Sequence, residues 1–238
     1  MSRTVAALRY RLSIHLFPSA FCLLPSASYK PPTASYQPPP PFESAMKLGL
    51  TGGIGCGKSS AGRMFAELGW RRLDTDEVVR ELLASDSELH AALRERWGGE
   101  AVGADGANRA YIAQKVFNDK AELNWWEGQV HPRVRAHWQG ALDAEPNTDW
   151  VVEIPLLFEK DLAKQFDVTL CVEANEAQQL ARLAAKGLDH DQSMSRIRNQ
   201  LPVSEKALSA DVVVSNSGSL DFLQRQVKRA STMLRSLP

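Results

Sequence analysis

The sequence predicts an α/β fold in which helices cover both faces of a parallel sheet. Runs with strand character alternate with segments whose apolar residues recur at helical spacing. The strand-like runs are 46–50, 70–73, 149–159, 166–174 and 210–219. Strands that alternate with helices favour crossover connections, and these produce a parallel sheet.

The first part of this pattern begins with the apolar strand 46–50, which leads into a Gly-rich turn. A helix is expected over 58–68, with Gly69 as its C-terminal cap. The second strand, 70–73, ends at Asp74-Thr75-Asp76, and another helix follows as far as Leu83.

Residues 86–142 show helical periodicity and no convincing strand, so they predict a helical insertion on the sheet. The insertion contains the pair His131-Pro132, and proline suits the first turn of a helix. We therefore expect a helix to begin at this pair. The favoured function of His131 is then a hydrogen bond at the helix start, ahead of catalysis.

The remaining elements are expected in the order strand, strand, helix, helix, strand and helix. They lie at 149–159, 166–174, 176–185, 191–201, 210–219 and 220–234. Lys186-Gly187 separates the two adjacent helices, and Ser219 is the expected N-cap of the last one.

Composition excludes several classes of protein. The chain has 238 residues, of which 44% are apolar and 24% charged, and its formal net charge is zero. Such a balance argues against a broad nucleic-acid surface, and no run of 18 apolar residues predicts a membrane span. The three cysteines lack the spacing of a zinc site or a disulfide framework. We expect a cytoplasmic protein, a monomer or weak homo-oligomer without a nucleic-acid or membrane partner.

Residues 1–45 differ from the rest of the chain. They contain four basic residues, the single acid Glu43 and a Pro/Ser-rich end, which cannot build a core. A secretory signal and an organelle transit peptide are two interpretations, although Pro18 and Pro25 interrupt the apolar patch that a signal needs. We favour the third interpretation, a disordered extension in front of a true start at Met46.

The Gly-rich turn has the form of a phosphate-binding loop. Gly52–Ser59 matches G-x-x-x-x-G-K-[ST] between an apolar strand and an amphipathic helix, the context that this P-loop motif requires. Glycines let backbone N–H groups point at anionic oxygens, and the helix N-terminus adds positive potential. Lys58 can reach the β- and γ-phosphates of ATP, and Ser59 can ligate Mg²⁺. The expected nucleotide-binding residues are Gly53, Gly55, Cys56, Gly57, Lys58, Ser59 and Ser60.

Asp74 and Asp76 lie where the second parallel strand ends, on the side of the expected phosphates. A kinase with a hydroxyl acceptor needs a carboxylate there to orient and deprotonate the nucleophile. Alternatively, the aspartates cap the next helix. The two functions are compatible if one aspartate caps and the other is catalytic.

A P-loop alone does not separate kinases from GTPases, ATPases and regulators. The sequence lacks the N-K-x-D segment of guanine-specific GTPases. No long apolar run ends in Asp-Glu as in many ATPases, since Val151-Val152-Glu153 is only a partial match. A kinase for another small acceptor and a non-catalytic nucleotide-binding regulator remain as alternatives.

From Met46 onward the chain resembles the dephospho-coenzyme A kinase family. It carries five motifs of that family in the same order. They are Leu50–Ser59, Asp74-Thr75-Asp76, His131-Pro132, Pro155–Glu159 and Asn216-Ser217-Gly218. Each short motif is weak by itself, whereas five in order are specific.

The resemblance implies a P-loop nucleotide-kinase-like core over 46–238, with a helical acceptor-binding insertion at about 86–142 and a mobile lid at about 182–200. It implies transfer of the γ-phosphoryl group of ATP to the ribose 3′-hydroxyl of dephospho-coenzyme A.

The same resemblance assigns functions to individual residues. Asp76 is the implied base, with Asp74 as a secondary contact. Arg182 is the first lid arginine and joins Asp76 and Lys58 as a catalytic residue. Asn216 is placed at the ATP adenine.

The lid departs from the family pattern. The family carries a second arginine one helical turn after the first, where this chain has Lys186. An ammonium point charge does not replace the bidentate donors of a guanidinium. We expect a less efficient lid, with Arg196 or Arg198 as residues that compensate. Glu159 has no assigned function.

Overall fold

The computed structural model describes residues 45–117 and 119–237. The predicted extension 1–45 therefore lies outside the described residues, apart from Ala45. The strands are β1 (Lys47–Gly52), β2 (Arg71–Asp74), β3 (Val102–Gly103), β4 (Gly106–Ala107), β5 (Trp150–Glu153), β6 (Val168–Glu173) and β7 (Val212–Ser215). The helices are α1 (Lys58–Glu67), α2 (Thr75–Ser85), α3 (Ser87–Trp97), α4 (Arg109–Phe117), α5 (Lys120–Ala144), α6 (Glu176–Ala184), α7 (His190–Arg198), α8 (Val203–Ser209) and α9 (Leu220–Leu234).

Five of these strands form one parallel sheet, in the order β2-β5-β1-β6-β7. The predicted fold class is confirmed. The central strand β1 pairs with β5 on one side and with β6 on the other, so the chain reverses its direction of winding there. Open α/β sheets bind ligands at such a point, beyond the carboxyl ends of the strands.

Apolar side chains alternate between the two faces of the sheet because successive residues of a strand point to opposite sides. Val151 packs with Phe65 of α1 and Val227 of α9 on one face. Its neighbour Val152 packs with Trp138 of α5 on the other. Both faces are thus covered by helices. A ligand can therefore reach the sheet at the carboxyl ends of its strands and not through its faces.

The predicted insertion has a small core of its own. Apolar residues of α2 to α5 form this third cluster, which includes Leu83, Leu89, Ile112 and Val130. The expectation that 86–142 contains no strand was wrong, since β3 and β4 pair as a short antiparallel hairpin. Two-residue strands are too short to leave an alternating pattern in the sequence.

The expected helix start at His131-Pro132 was also wrong. Pro132 lies inside the 25-residue helix α5, which begins twelve residues earlier at Lys120, after the N-cap Asp119. Proline normally interrupts a helix because it lacks an N–H group. Here the buried residues Val130 and Trp138 lie on either side of Pro132 and keep one helix packed against both cores.

Other boundaries differ from the prediction by less. Strand β5 covers only Trp150–Glu153, and turns follow it where the sequence predicted strand as far as residue 159. The helix expected over 191–201 is α7, which ends at Arg198, and α8 is an additional short helix. Within the described ranges, no helix has the length and apolar character that crossing a membrane requires.

Candidate active site

The P-loop, residues 52–59, connects β1 to α1 at the carboxyl edge of the sheet. Helix α1 begins after Gly57, whose φ of 96° suits glycine, and no side chain caps it. The N–H groups of Gly55, Gly57 and Lys58 have no acceptor among the residues that the structure describes. An uncapped helix start with free amides is a binding site for an anion such as phosphate.

Asn216 and Arg182 support the P-loop from outside. The Nδ2 atom of Asn216 donates to the carbonyl of Cys56 at 2.9 Å, and this side chain is buried. Arg182 donates to the carbonyls of Gly55 (3.1 Å) and Asn216 (2.7 Å). Both predicted nucleotide-site residues therefore lie at the loop, where they contact its backbone. Their contacts with adenine and phosphate stay predictions.

Gln200, at the end of the predicted lid, also contacts the P-loop. Its Oε1 accepts the N–H of Ile54 at 3.0 Å. A cavity of about 240 Å³ opens between this part of the loop and the end of the lid, with Gln179 and Val203 in its wall. The lid segment therefore returns to the nucleotide loop where it joins α8.

Lys58 lies in an environment that has charges of both signs. Burial lowers the pKa of its ammonium group, while the carboxylates of Asp76 and Glu153 act in the opposite direction. The positive charge of Lys206 lowers it further. Lys58 thus lies between two carboxylates at the base of the loop, where phosphate oxygens would supply further partners.

Asp74 and Asp76 have different surroundings. Asp74 is buried, accepts the N–H of Asp76 at 2.9 Å as N-cap of α2, and pairs with Arg72 at 2.9 Å. Asp76 is exposed, and no described side chain forms an ion pair with it. Desolvation by the surrounding protein raises the pKa of Asp76 even though the residue is exposed, and Lys58 partly offsets this effect. The capping function therefore belongs to Asp74 and leaves Asp76 available.

Glu153 is a residue of this site that the sequence did not single out. It ends β5, and its carboxylate accepts Arg72 Nε at 2.6 Å and is 1% exposed. Burial and the nearby Asp74 raise its pKa, while Arg72 and the hydroxyl of Ser59 favour its charged form. Val151-Val152-Glu153 was the signal that could have identified it, since a carboxylate often follows the apolar strand beside a P-loop.

Arg72 joins the carboxylates at this edge. Strand register places Leu50, Glu153 and Asp74 in one row across β1, β5 and β2. Arg72 binds Glu153 and Asp74 from this row and lies 3.5 Å from Glu77. Two buried carboxylates therefore share one guanidinium beside Ser59.

His131 lies inside α5, close enough to Lys160 in the turn after β5 for the two charges to interact. Burial lowers the pKa of its imidazole, and Glu127 acts in the opposite direction. Glu127 pairs with Lys160 at 2.8 Å, so α5 and the turn after β5 are joined at this point. The resemblance to the family implies that the pair His131-Pro132 belongs to the acceptor-binding insertion. The contacts described here do not test this prediction.

The Cys56 thiol and the basic residues of the lid differ in their exposure to solvent. Cys56 is a free, buried thiol, and burial raises its pKa, which agrees with the absence of an assigned catalytic function. Lys186, Arg196 and Arg198 are exposed on the lid. Their solvated side chains are available to an anion in the cleft.

A family model for dephospho-CoA kinase matches residues 46–221. The chain belongs to the dephospho-CoA kinase family. The dephospho-CoA kinase of Gloeobacter violaceus is 38% identical over 185 residues, which cover 77% of this chain and 90% of the relative. That of Synechococcus sp. strain CC9605 is 39% identical over 197 residues, 81% of this chain and 95% of the relative. The predicted family and kinase activity are confirmed.

Two solved structures have a similar fold. A Thermus thermophilus protein with 32% sequence identity superposes with a TM-score of 0.69, over 81% of this chain and 99% of its own. The dephospho-CoA kinase of Campylobacter jejuni superposes with a TM-score of 0.60 at 23% identity, over 79% and 96% of the two chains. At 23% identity, the likeness to the Campylobacter jejuni structure shows a shared fold alone.

Proposed function

We propose that this kinase transfers the γ-phosphoryl group of ATP to the ribose 3′-hydroxyl of dephospho-CoA, with Asp76 as the base that orients and deprotonates the hydroxyl. The observation that carries this proposal is the contrast between the two aspartates after β2. Asp74 is occupied by the α2 amide and by Arg72, whereas Asp76 is exposed, has no ion-pair partner among the described residues and interacts electrostatically with Lys58.

The raised pKa of Asp76 suits this function. A carboxylate that accepts a proton from a hydroxyl is more effective when desolvation has made it more basic. The P-loop and Lys58 bind the phosphates, so that the attacking oxygen and the γ-phosphorus are held in line. Most of the rate enhancement in phosphoryl transfer comes from such positioning and from stabilisation of charge.

The residues at the loop fit a magnesium ion. Mg²⁺ takes hard oxygen ligands and keeps several waters, with only one or two protein side chains and the substrate phosphates. The Ser59 hydroxyl lies beside the buried Glu153 carboxylate, which supplies this donor set. We propose that Ser59 ligates Mg²⁺ and that Glu153 orients one of its waters. The bound ion would neutralise phosphate charge.

The remaining parts of the proposal concern the acceptor and the lid. Helices α3 to α5, with the turn after β5, are proposed to bind dephospho-CoA, because Asp76 lies in the first turn of α2 and α2 packs against these helices. Residues 182–200 are proposed to close over ATP and exclude water. Free thiols at Cys56 and Cys171 support the proposal of a cytoplasmic enzyme. The formal neutrality of the chain supports the proposal that it has no nucleic-acid partner, and a monomer or weak homo-oligomer is proposed with it.

The test is ADP release by the purified chain with Mg·ATP and dephospho-CoA, with adenosine, AMP and shikimate as comparison acceptors. Formation of CoA only with dephospho-CoA is the expected result. Asp76→Asn should lower kcat by about 10²–10⁴-fold, the usual contribution of a general base, with ATP binding unchanged.

Asp74→Asn is the matched control for this variant. Asparagine still caps a helix, so the fold should be kept while the ion pair with Arg72 is lost. We expect a lower unfolding temperature and a kcat much closer to that of the wild type. Equal losses of kcat in both variants would remove Asp76 as the base.

A further inference from the structure

Lys206 is a fully buried charged residue that the proposed reaction does not use. Its side chain is 0% exposed, and its Nζ lies 2.8 Å from Glu159 Oε1. The same ammonium group donates to the carbonyl of Pro155 at 2.7 Å. Lysine is almost never fully buried unless it is paired, because desolvation of the charge is costly.

Glu159 joins two distant segments of the chain. Its Oε1 also accepts the N–H of Leu201 at 3.0 Å. Glu159 belongs to the turn after β5, on the acceptor side, and Leu201 belongs to the segment that leaves the lid. The second oxygen, Oε2, is buried and has no hydrogen-bond partner among the described residues.

Both ends of this arrangement reach the P-loop. Gln200, the residue before Leu201, accepts the N–H of Ile54. On the other side, the carbonyl of Pro155 accepts the hydroxyl of Thr51, which directly precedes the loop, at 3.3 Å. The turn after β5, the end of the lid and the nucleotide loop therefore meet around one buried ion pair.

Stability alone does not explain this pair. Buried ion pairs are commonly replaced by apolar residues of similar size without loss of stability, whereas removal of one partner is strongly destabilising. A pair with fixed bonds to Pro155 and Leu201 instead specifies where these two segments lie relative to each other.

We propose that Lys206 and Glu159 are a positioning pair, which holds the end of the lid and the acceptor-side turn in fixed register at the P-loop. The pair acts through its hydrogen bonds with Leu201 and Pro155. This inference rests on the proposed function for its kinetic consequence. Its structural consequence, coupling of the lid end to the loop, concerns ATP alone.

The test compares Glu159→Gln, Lys206→Met and the double variant with the wild type. Each single variant should lower kcat by at least about tenfold, because small misplacements of reacting groups are costly, with a much smaller change in the KM for ATP. Each should also unfold at a lower temperature. The double variant should regain part of the unfolding temperature and keep the low kcat, because it leaves no unpaired buried charge but does not restore the register of the two segments.

Lys164→Met is the matched control. Lys164 pairs with Asp161 in the same region, but both side chains are exposed, at 78% and 75%. Loss of this pair should leave kcat and unfolding temperature unchanged. A double variant that regains kcat together with stability would overturn the proposal, as would an unchanged kcat in a folded Glu159→Gln variant.

A second measurement separates this proposal from the proposed function. ATP should slow amide hydrogen exchange at residues 199–201 in the wild type, and this protection should be lost in Glu159→Gln at saturating ATP. Equal protection in both proteins would refute the positioning pair. If the wild type forms no CoA, the proposed phosphorylation of dephospho-CoA is refuted. The exchange measurement would still test whether Lys206 and Glu159 are a positioning pair.

Discussion

Gly62→Ala is the substitution whose effect follows most directly from the structure. Gly62 lies in the middle of α1, where alanine ordinarily stabilises a helix by about 0.5–1 kcal/mol. A Cβ atom here would lie 2.0 Å from Glu153 Oε1 and 2.8 Å from its Cδ. Glu153 must therefore move away from the helix. Such a movement is costly because the carboxylate is buried and held by Arg72.

The size of the effect can be worked from these contacts. Breaking a buried ion pair costs about 3–5 kcal/mol, and the gain in helix propensity offsets about 1 kcal/mol. Arg72 keeps Asp74 as a partner, which favours the lower end of this range. We expect a net loss of about 2–3 kcal/mol, which lowers the unfolding temperature of a chain of this size by about 4–12 °C. The kcat should fall by about tenfold or more, because Ser59 loses the carboxylate beside it.

Thermal unfolding and the coupled ADP assay measure these two effects. Gly140→Ala is the matched control, since Gly140 is a glycine inside α5 with nothing within 4 Å of an added Cβ. It should raise stability by about 0.5–1 kcal/mol and leave kcat unchanged. Glu153→Asp, in which the carboxylate is one methylene shorter, should recover part of the stability when combined with Gly62→Ala. A Gly62→Ala enzyme that is as stable and active as Gly140→Ala would refute the proposed position of Glu153.

Three further predictions concern the nucleotide and the base. Lys58→Met should lower kcat and raise the KM for ATP together, since Lys58 binds phosphate in the ground state and the transition state; a normal rate would contradict the P-loop assignment. Because desolvation raises the pKa of Asp76 and the ionised form is the base, kcat/KM should fall with decreasing pH from a higher pH than for an ordinary carboxyl group. This acid limb should be absent in Asp76→Asn. Lys186→Arg should raise kcat/KM for ATP if the lid binds phosphate, whereas no change would place Lys186 outside the nucleotide site.

The sequence predicted the parts of the site that depend on neighbours along the chain. The P-loop, the strand before it and the helix after it are contiguous, so motif and hydrophobic pattern are sufficient to place Lys58 and Ser59. The order of strands in the sheet and the partners of Arg72 depend on residues that are far apart in sequence. Neither could be obtained from local pattern.

The helix start expected at Pro132 was wrong for a physical reason that also applies to Lys206. Pro132 predicts a helix start by its local chemistry, but packing of α5 against two cores extends the helix through it. Lysine is normally an exposed residue, but Glu159 and Pro155 satisfy the charge of Lys206 in the interior. In both cases tertiary contacts override a local preference. Such contacts become visible only when the fold is assembled.

The row of acids at the carboxyl edge explains why two adjacent aspartates differ. Strand register brings Asp74 and Glu153 side by side, and two buried carboxylates would repel each other without a cation. Arg72 supplies that cation, and its bonds occupy the oxygens that face it. Asp76, two residues beyond the strand end, lies outside this neutralised group, and the positive charge of Lys58 acts on it. Pairing of its neighbours thus leaves Asp76 as the carboxylate at this edge that is free to accept a proton.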